Sequence, residues 1–383
     1  MATSPILRTP PATLRRHQSR AAEQTTLTFP LAARPGNCEA RDDARSLLPA
    51  LAQPDAEHAP ELVGIARLAA SSPRAEAKRG TEYFLLPVRS ILNHCEPKHV
   101  PFSWTINPYR GCEFGCRYCY ARYTHEFMEL GGDEFEKKIF VKQNSGPLVS
   151  RDLAAGKAWG EHIAIGAATD PYQPAEKEFG ATRAILEKMA EREGLSVSIT
   201  TKSNRVVHDI DLLRRIAERS SISVNMTVTT MRPRLARMLE PRAPHPILRL
   251  EAVRKLRDAG IAVGVFVMPV IPHMTDRRAD LESVAAEARD AGAQWLCGRV
   301  LYLMPASWKT FFAFLEEKFP KLALRYRDIY RGYGEAPEKY RREISDLFNE
   351  LRQKYNLGSR PVVPAPGVAA KTQQLDFAWS NPR

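Results

Sequence analysis

Short apolar runs and longer amphipathic stretches alternate through the middle of the chain. β-Branched and apolar residues concentrate at 103–107 (SWTIN), 161–168 (EHIAIGAA), 196–201 (SVSITT), 222–229 (ISVNMTVT), 261–268 (IAVGVFVM) and 294–303 (QWLCGRVLYL). Each has the length and composition of a strand. Residues 117–129, 176–192, 209–219, 246–259, 277–291 and 306–318 carry the period of helices instead. Their punctuation agrees: the segment ending at Asp258 runs into Gly260, and Asp209 and Asp276 stand at N-cap positions. Strands alternating with helices of this length predict parallel strands joined by crossovers. Six such units predict an α/β fold, a partial (β/α)6 barrel of the TIM type. An open doubly wound sheet has the same periodicity.

The flanks differ. Residues 1–75 are rich in Ala, Pro, Arg and Ser with few aromatics, the composition of a disordered extension. Order is expected from TEYFLLPVRSIL (81–92), so the core domain is read as 80–319. Residues 320–356 have helical pattern and many charges, and are expected to cover the open side of the barrel. The tail, 357–383, is Pro-rich and expected to be loosely held. No apolar run approaches the roughly 20 residues of a membrane span, and the first residues lack the apolar stretch of a secretory signal. A cytoplasmic location with no membrane contact is the resulting expectation. The net charge is +12, and residues 201–260 hold 13 Lys and Arg against 6 Asp and Glu, supplying +7 of it. Such a stretch suits an anionic partner or a solvated helix face.

Chemistry concentrates in TINPYRGCEFGCRYCYARYTHEF, which places Cys112, Cys116 and Cys119 as C-x3-C-x2-C directly after a predicted strand. Thiolates converging from one Gly-punctuated loop suit an iron–sulfur cluster. Three ligands for a 4Fe-4S cluster leave one iron open to a substrate or cofactor. With His125 the spacing also offers four ligands to zinc, although structural zinc motifs usually pair two ligand clusters across a longer loop, which is missing here. Cys38, Cys95 and Cys297 stand alone and are read as structural or incidental.

The loop NPYRGCEFGCRYCYAR resembles the cluster-binding loop of the radical S-adenosylmethionine superfamily, including the aromatic Tyr118 before the third cysteine. Further stretches, among them ATDPYQPAE (168–176), ITTKSNRVVHDIDLL (199–213) and VGVFVMPVIPHMTD (263–276), resemble the spore photoproduct lyase-like group. The resemblance spans roughly residues 100–305. It implies a 4Fe-4S cluster on the three cysteines and S-adenosylmethionine on the open iron. It also implies reductive cleavage to a 5'-deoxyadenosyl radical that abstracts hydrogen, and an electron donor such as flavodoxin or ferredoxin.

Site residues follow from that resemblance together with their place at the C-terminal ends of strands, where barrel enzymes build their sites. Thr169 and Asp170 end the second strand, Lys202 and Ser203 the third. Thr169 and Lys202 are implied to hold the methionyl end of the cofactor; for Lys202 the plain alternative is a surface lysine. Ser223, Asn225 and Thr227 share one face of the fourth strand, which fits the cofactor's ribose and carboxylate or, alternatively, a half-exposed strand. The backbone of 264–268 is implied to flank the cofactor. Tyr118 and Tyr120 match two loop tyrosines implied to relay a radical; packing beside the cluster is the other reading. The group's hydrogen-donating cysteine is replaced by Ala167, which cannot act in that way. Arg232, Arg234, Arg237, Arg242 and Arg249 have the chemistry to grip nucleic acid phosphates or to pair with Glu240, Glu251 and neighbouring carboxylates. Three function classes remain: a radical enzyme on a nucleic acid base, one on a peptide or small molecule, and a non-catalytic cluster- or metal-binding protein.

Overall fold

A computed structural model describes residues 62–359, apart from Arg79, 96–101, Gly332 and Tyr333. Most of the expected N-terminal extension, Cys38 included, and residues 360–383 of the expected tail lie outside the described residues.

All six expected strands form. They are β1 (Trp104–Ile106), β2 (His162–Ile165), β3 (Ser196–Thr201), β4 (Ser221–Thr227), β5 (Ala262–Val270) and β6 (Leu296–Val300). They pair in parallel in chain order, and an antiparallel strand, Leu92–His94, borders β1. Among the described residues the two edges do not pair with each other. The sheet is a partial barrel of the kind the six units predicted.

The crossover helices are α1 (Ser145–Ala154), α2 (Ala181–Met189), α3 (Ile210–Ala217), α4 (Pro246–Asp258) and α5 (Arg278–Asp290). The helix expected over 117–129 is reduced to turns at Tyr120–Arg122 and Tyr123–Glu126. Helix α1, which the reading missed because it opens on Ser-Gly-Pro, instead lies between β1 and β2, burying Leu148 and Val149. Gly260 takes a φ of +79° after α4, as a C-terminal glycine should. Of the two aspartates expected as caps, Asp209 does stand at the N-cap of α3, but its side chain makes no capping bond, and Asp276 lies one residue before the N-cap of α5. Asp209 accepts from Tyr172 Oη at 3.0 Å and Arg183 at 2.5 Å. Asp276 accepts from His273 N and Tyr340 Oη, and Arg277 is the N-cap of α5.

After β6 come α6 (Pro305–Lys318), α7 (Pro320–Tyr330) and α8 (Glu338–Tyr355). Helix α8 lies on the outer face of β6, not across the open side. A Cβ on Gly298 would meet the Phe348 ring at 2.1 Å, and Arg278–Glu350 and Lys354–Glu282 pairs tie α8 to α5.

A second, four-stranded sheet joins Arg74–Lys78, Thr81–Leu86, Lys138–Lys142 and Tyr109–Arg110. The helix Gly64–Ala70 and the start of this sheet fall within the span composition assigned to the extension. This sheet has its own core of Tyr83, Tyr109, Ile139 and Val141. Its short strand Tyr109–Arg110 leads directly into Gly111 and Cys112, so it anchors the entry to the cysteine loop.

Candidate metal and cofactor site

The cysteine loop leaves β1 through that anchor. Gly111 turns at φ +85°, and a Cβ there would lie 2.7 Å from the Lys138 carbonyl and 2.8 Å from that of Phe135. No L-residue with a side chain fits, so this glycine is fixed by contact as well as by conformation. Cys112 N then donates to the Phe135 carbonyl at 3.0 Å. Arg122 braces the far end: fully buried, it donates to the Cys116 carbonyl at 3.2 Å and pairs with Glu136 at 2.6 Å.

Cys112 and Cys116 are buried and Cys119 is half-buried. The three thiols lie close enough to act on each other's charge. Burial pushes Cys112 well up and Cys116 up to about 12; for Cys116 the Lys202 ammonium works in the opposite direction. Bare thiolates are thus disfavoured unless positive charge joins them, which iron would supply. Among the described residues no group of three or more His, Cys, Asp or Glu is arranged to hold one metal ion. A cluster spreads its ligands over separate irons and does not need that spacing. The zinc alternative loses its fourth ligand, because His125 Nε2 is bonded to the Lys138 carbonyl at 2.9 Å. Its ring packs against Phe135 and Phe140, and burial lowers its pKa to about 4.

The strand-end residues gather around this loop, several with partners already in place. Thr169 Oγ1 donates to the Gly111 carbonyl at 2.6 Å, and Gln173 Nε2 reaches the same carbonyl at 3.1 Å. Gln173 Oε1 accepts from Glu113 N at 2.9 Å. Asp170 accepts from Thr201 Oγ1 and Lys202 N, both at 2.7 Å, and from Tyr172 N at 2.9 Å. Burial raises its pKa against those donors. Ser203 caps the turn over Asn204–Asp209. Thr169, Gln173 and Asp170 therefore fasten the loops around the cysteines to one another, while Ser203 holds its own turn.

Lys202 differs. It is half-buried, with Nζ 5.8 Å from the centre of the Tyr118 ring. Burial works to lower its pKa, but the Cys116 thiol and Glu240 outweigh that and raise it. Ser223, Asn225 and Thr227 are all buried, which removes the half-exposed alternative. Asn225 already has a partner: Trp295 Nε1 donates to its Oδ1 at 3.1 Å. The indole crosses Gly264, where a Cβ would clash at 2.3 Å.

The two loop tyrosines separate. Tyr120 is 43% exposed and donates to the Ala167 carbonyl at the end of β2. Tyr118 is buried and donates to Glu240, with Thr229 Oγ1 at 3.1 Å. Glu240 also pairs with Arg249 at 2.5 Å, both side chains 1% exposed. Arg249 therefore does not reach phosphates. Arg232 is committed to Asp280 and the Met274 carbonyl, and Arg242 to carbonyls of Glu113 and Glu136. Glu240, Gln173 and Arg122 were missed as site residues by sequence reasoning. For Glu240 and Arg249 a signal existed, since pairing of the arginines with Glu240 is one of the two readings of that stretch.

A family model described as the radical SAM superfamily matches residues 106–284. An uncharacterized protein of Mycobacterium bovis is 32% identical over 302 residues, covering 78% of this chain and 88% of its own. Another, from Methanocaldococcus jannaschii, is 29% identical over 265 residues, covering 67% and 90%. Spore photoproduct lyase complexed with dinucleoside spore photoproduct superposes with a TM-score of 0.57 at 16% identity, covering 80% of this chain and 86% of that one. A form with bound AdoMet as well gives 0.57 at 17%, covering 78% and 85%. The likeness in fold matches the six-stranded partial barrel, and no described helix is long and apolar enough to cross a membrane. With the cysteine loop at the end of its first parallel strand, this chain belongs to the radical S-adenosylmethionine superfamily.

Proposed function

We propose that Cys112, Cys116 and Cys119 hold a 4Fe-4S cluster and that the chain is an enzyme that cleaves S-adenosylmethionine reductively. The observation that carries this reading is the loop itself. Three neighbouring thiols leave one strand end, and bonds from Thr169, Gln173, Arg122 and the Phe135 carbonyl hold their backbone. When bound, the cluster and S-adenosylmethionine supply a 5'-deoxyadenosyl radical for hydrogen abstraction.

Around it the chain's residues position and shield. Lys202 is the cation placed to meet the cofactor carboxylate, as a compact ammonium with three donors. Asp170 sets the Lys202 backbone, Thr169 holds Gly111, and Ser203 fixes the turn that follows. Ser223 and Asn225 line the polar interior face of β4. Tyr120, exposed in the cysteine loop with its hydroxyl on the Ala167 carbonyl, serves radical transfer in this reading, whereas Tyr118 is tied to Glu240.

Anaerobic reconstitution should give about four irons and four sulfides per chain, and the triple Cys→Ala variant should give none. Reduced protein should release 5'-deoxyadenosine. Stoichiometric zinc without sulfide in anaerobically purified protein refutes the reading, and a cluster without cofactor cleavage leaves the non-catalytic alternative.

For the substrate we infer a nucleic acid base, supported by the likeness to spore photoproduct lyase, one solved form of which is complexed with dinucleoside spore photoproduct. Ala167 means that any such chemistry runs without a cysteine donor at that position. Deuterium transfer from labelled DNA or RNA into 5'-deoxyadenosine tests it. Failure of both, with stimulation by a peptide or small-molecule fraction, transfers the substrate to that class.

A further inference from the structure

Three aromatic rings follow the last cysteine in a row along its two turns. Tyr120 and Tyr123 stack with centroids 6.3 Å apart and planes at 26°, and Phe127 meets Tyr123 edge-on at 5.6 Å. Phe127 is 59% exposed, Tyr120 is exposed and Tyr123 is half-buried. The row begins at the open strand end, where the Tyr120 hydroxyl reaches the Ala167 carbonyl just past β2. Positive charge without a counter-charge lies behind it. Arg110 opposes Phe140 in the small sheet, and Lys142, two residues on from Phe140, projects from the same face. The two charges act on each other, and that of Arg110 acts on the Tyr123 hydroxyl. The Arg110 side chain donates to the Thr124 carbonyl at 3.4 Å, and its Nε is buried with no partner. Lys142 is 6% exposed, and neither cation forms an ion pair among the described residues.

We propose that this face binds single-stranded nucleic acid, with bases on Tyr123 and Phe127, a backbone phosphate on Arg110 and the charge of Lys142 beneath. The inference rests on the nucleic acid reading above and names the form of the substrate. Every base offers a π-face to an aromatic ring, but only once it has left its duplex partner. A guanidinium fork suits phosphate, and cations with no carboxylate beside them favour an anion. An acidic peptide would use the cations and leave the rings idle. A strand laid along the row brings its next base to Tyr120, beside the cysteine loop.

The test uses the full reconstituted chain and fluorescein-labelled oligothymidylate, read by anisotropy, against the same strand in a duplex and against an oligoglutamate peptide. Single strand should bind more tightly than duplex. Phe127→Ala should weaken it about tenfold, the value of one base–ring stack, and leave iron content and unfolding unchanged because the ring is exposed. Arg110→Gln should weaken it and lower its salt slope by about 0.7, one phosphate contact. Because Arg110 adjoins the loop, Lys142→Met is the second charge variant and should shift affinity in the same direction. Unchanged affinity in Phe127→Ala overturns the proposal, as does duplex bound as tightly as single strand. So does oligoglutamate bound more tightly than the strand and lost in Arg110→Gln, which gives the face to acidic peptides. Strand binding that needs Phe127 and Arg110 but transfers no deuterium to 5'-deoxyadenosine refutes the base as hydrogen donor and leaves the face standing. Deuterium transfer with every affinity unchanged does the reverse.

Discussion

Glu240→Ala tests the buried pair behind the cysteine loop. The carboxylate accepts from Arg249, Tyr118 and Thr229, and both Glu240 and Arg249 are 1% exposed. Removing it leaves a buried guanidinium whose remaining bonds are to the Pro244 and Thr227 carbonyls. Losing one member of a buried pair costs about 3–5 kcal/mol, mainly because the surviving charge stays desolvated. Urea unfolding of the cluster-free, reduced protein should show that loss. Arg249→Ala should cost a similar amount, and the double variant much less than their sum. pH gives a second reading. Burial alone would raise the Glu240 pKa, but Arg249 and Lys202 outweigh it and hold it at about 2. A depressed carboxylate contributes its stability above its unfolded pKa of about 4.3 and loses it as pH falls toward about 2. The gap between wild type and Glu240→Gln should therefore close across that window. A loss below about 1 kcal/mol at neutral pH, or additive single variants, refutes the reasoning.

Lys202→Ala should weaken S-adenosylmethionine binding by about 1.5–3 kcal/mol, the value of a hydrogen bond to a charged group; equilibrium dialysis with unchanged affinity returns Lys202 to the surface. Lys142 is buried, and burial, aided by Arg110, lowers its pKa to about 7. The folded protein therefore binds fewer protons than the unfolded chain between about pH 7 and 10.4, so stability should rise with pH there, and Lys142→Met should remove that slope in denaturant titrations. Gly298→Ala should cost about 1–3 kcal/mol by overpacking, because its Cβ would meet the Phe348 ring at 2.1 Å. Part of that should return in the Phe348→Ala background, and full additivity by the same unfolding assay would deny the contact.

The sequence made the barrel legible because its central strands are largely buried and rich in β-branched residues. The small sheet was not legible for the opposite reason. Tyr109–Arg110 spans two residues, too short for any periodicity, and pairs across a long separation with Lys138–Lys142. Helix α1 escaped because Gly146 and Pro147 suppress the helical pattern at its start. Helix α8 was legible as a helix, but its place was not. Only Gly298, whose missing side chain admits Phe348, says which face it covers, and a glycine in a strand has several other readings.

Within the site, spacing identified the three cysteines because all three ligands come from one loop. The support around them comes from residues distant in sequence and individually unremarked. Gln173 links Glu113 N to the Gly111 carbonyl across 60 or more residues. Tyr118 and Tyr120 show the same limit. Both flank Cys119 and match one motif, which assigns them one role. Yet the backbone turns between them, sending one hydroxyl into the Glu240–Arg249 pair and the other to the Ala167 carbonyl at the open strand end. Burial first, and then Glu240, drives the Tyr118 pKa well up, which keeps the phenol protonated with its hydrogen on the buried carboxylate. Burial raises the Tyr120 pKa as well, but its hydroxyl is held by the Ala167 carbonyl and not by a carboxylate. The different settings of the two hydroxyls thus follow from a carboxylate 122 residues from Tyr118, where no reading of the motif alone would look for it.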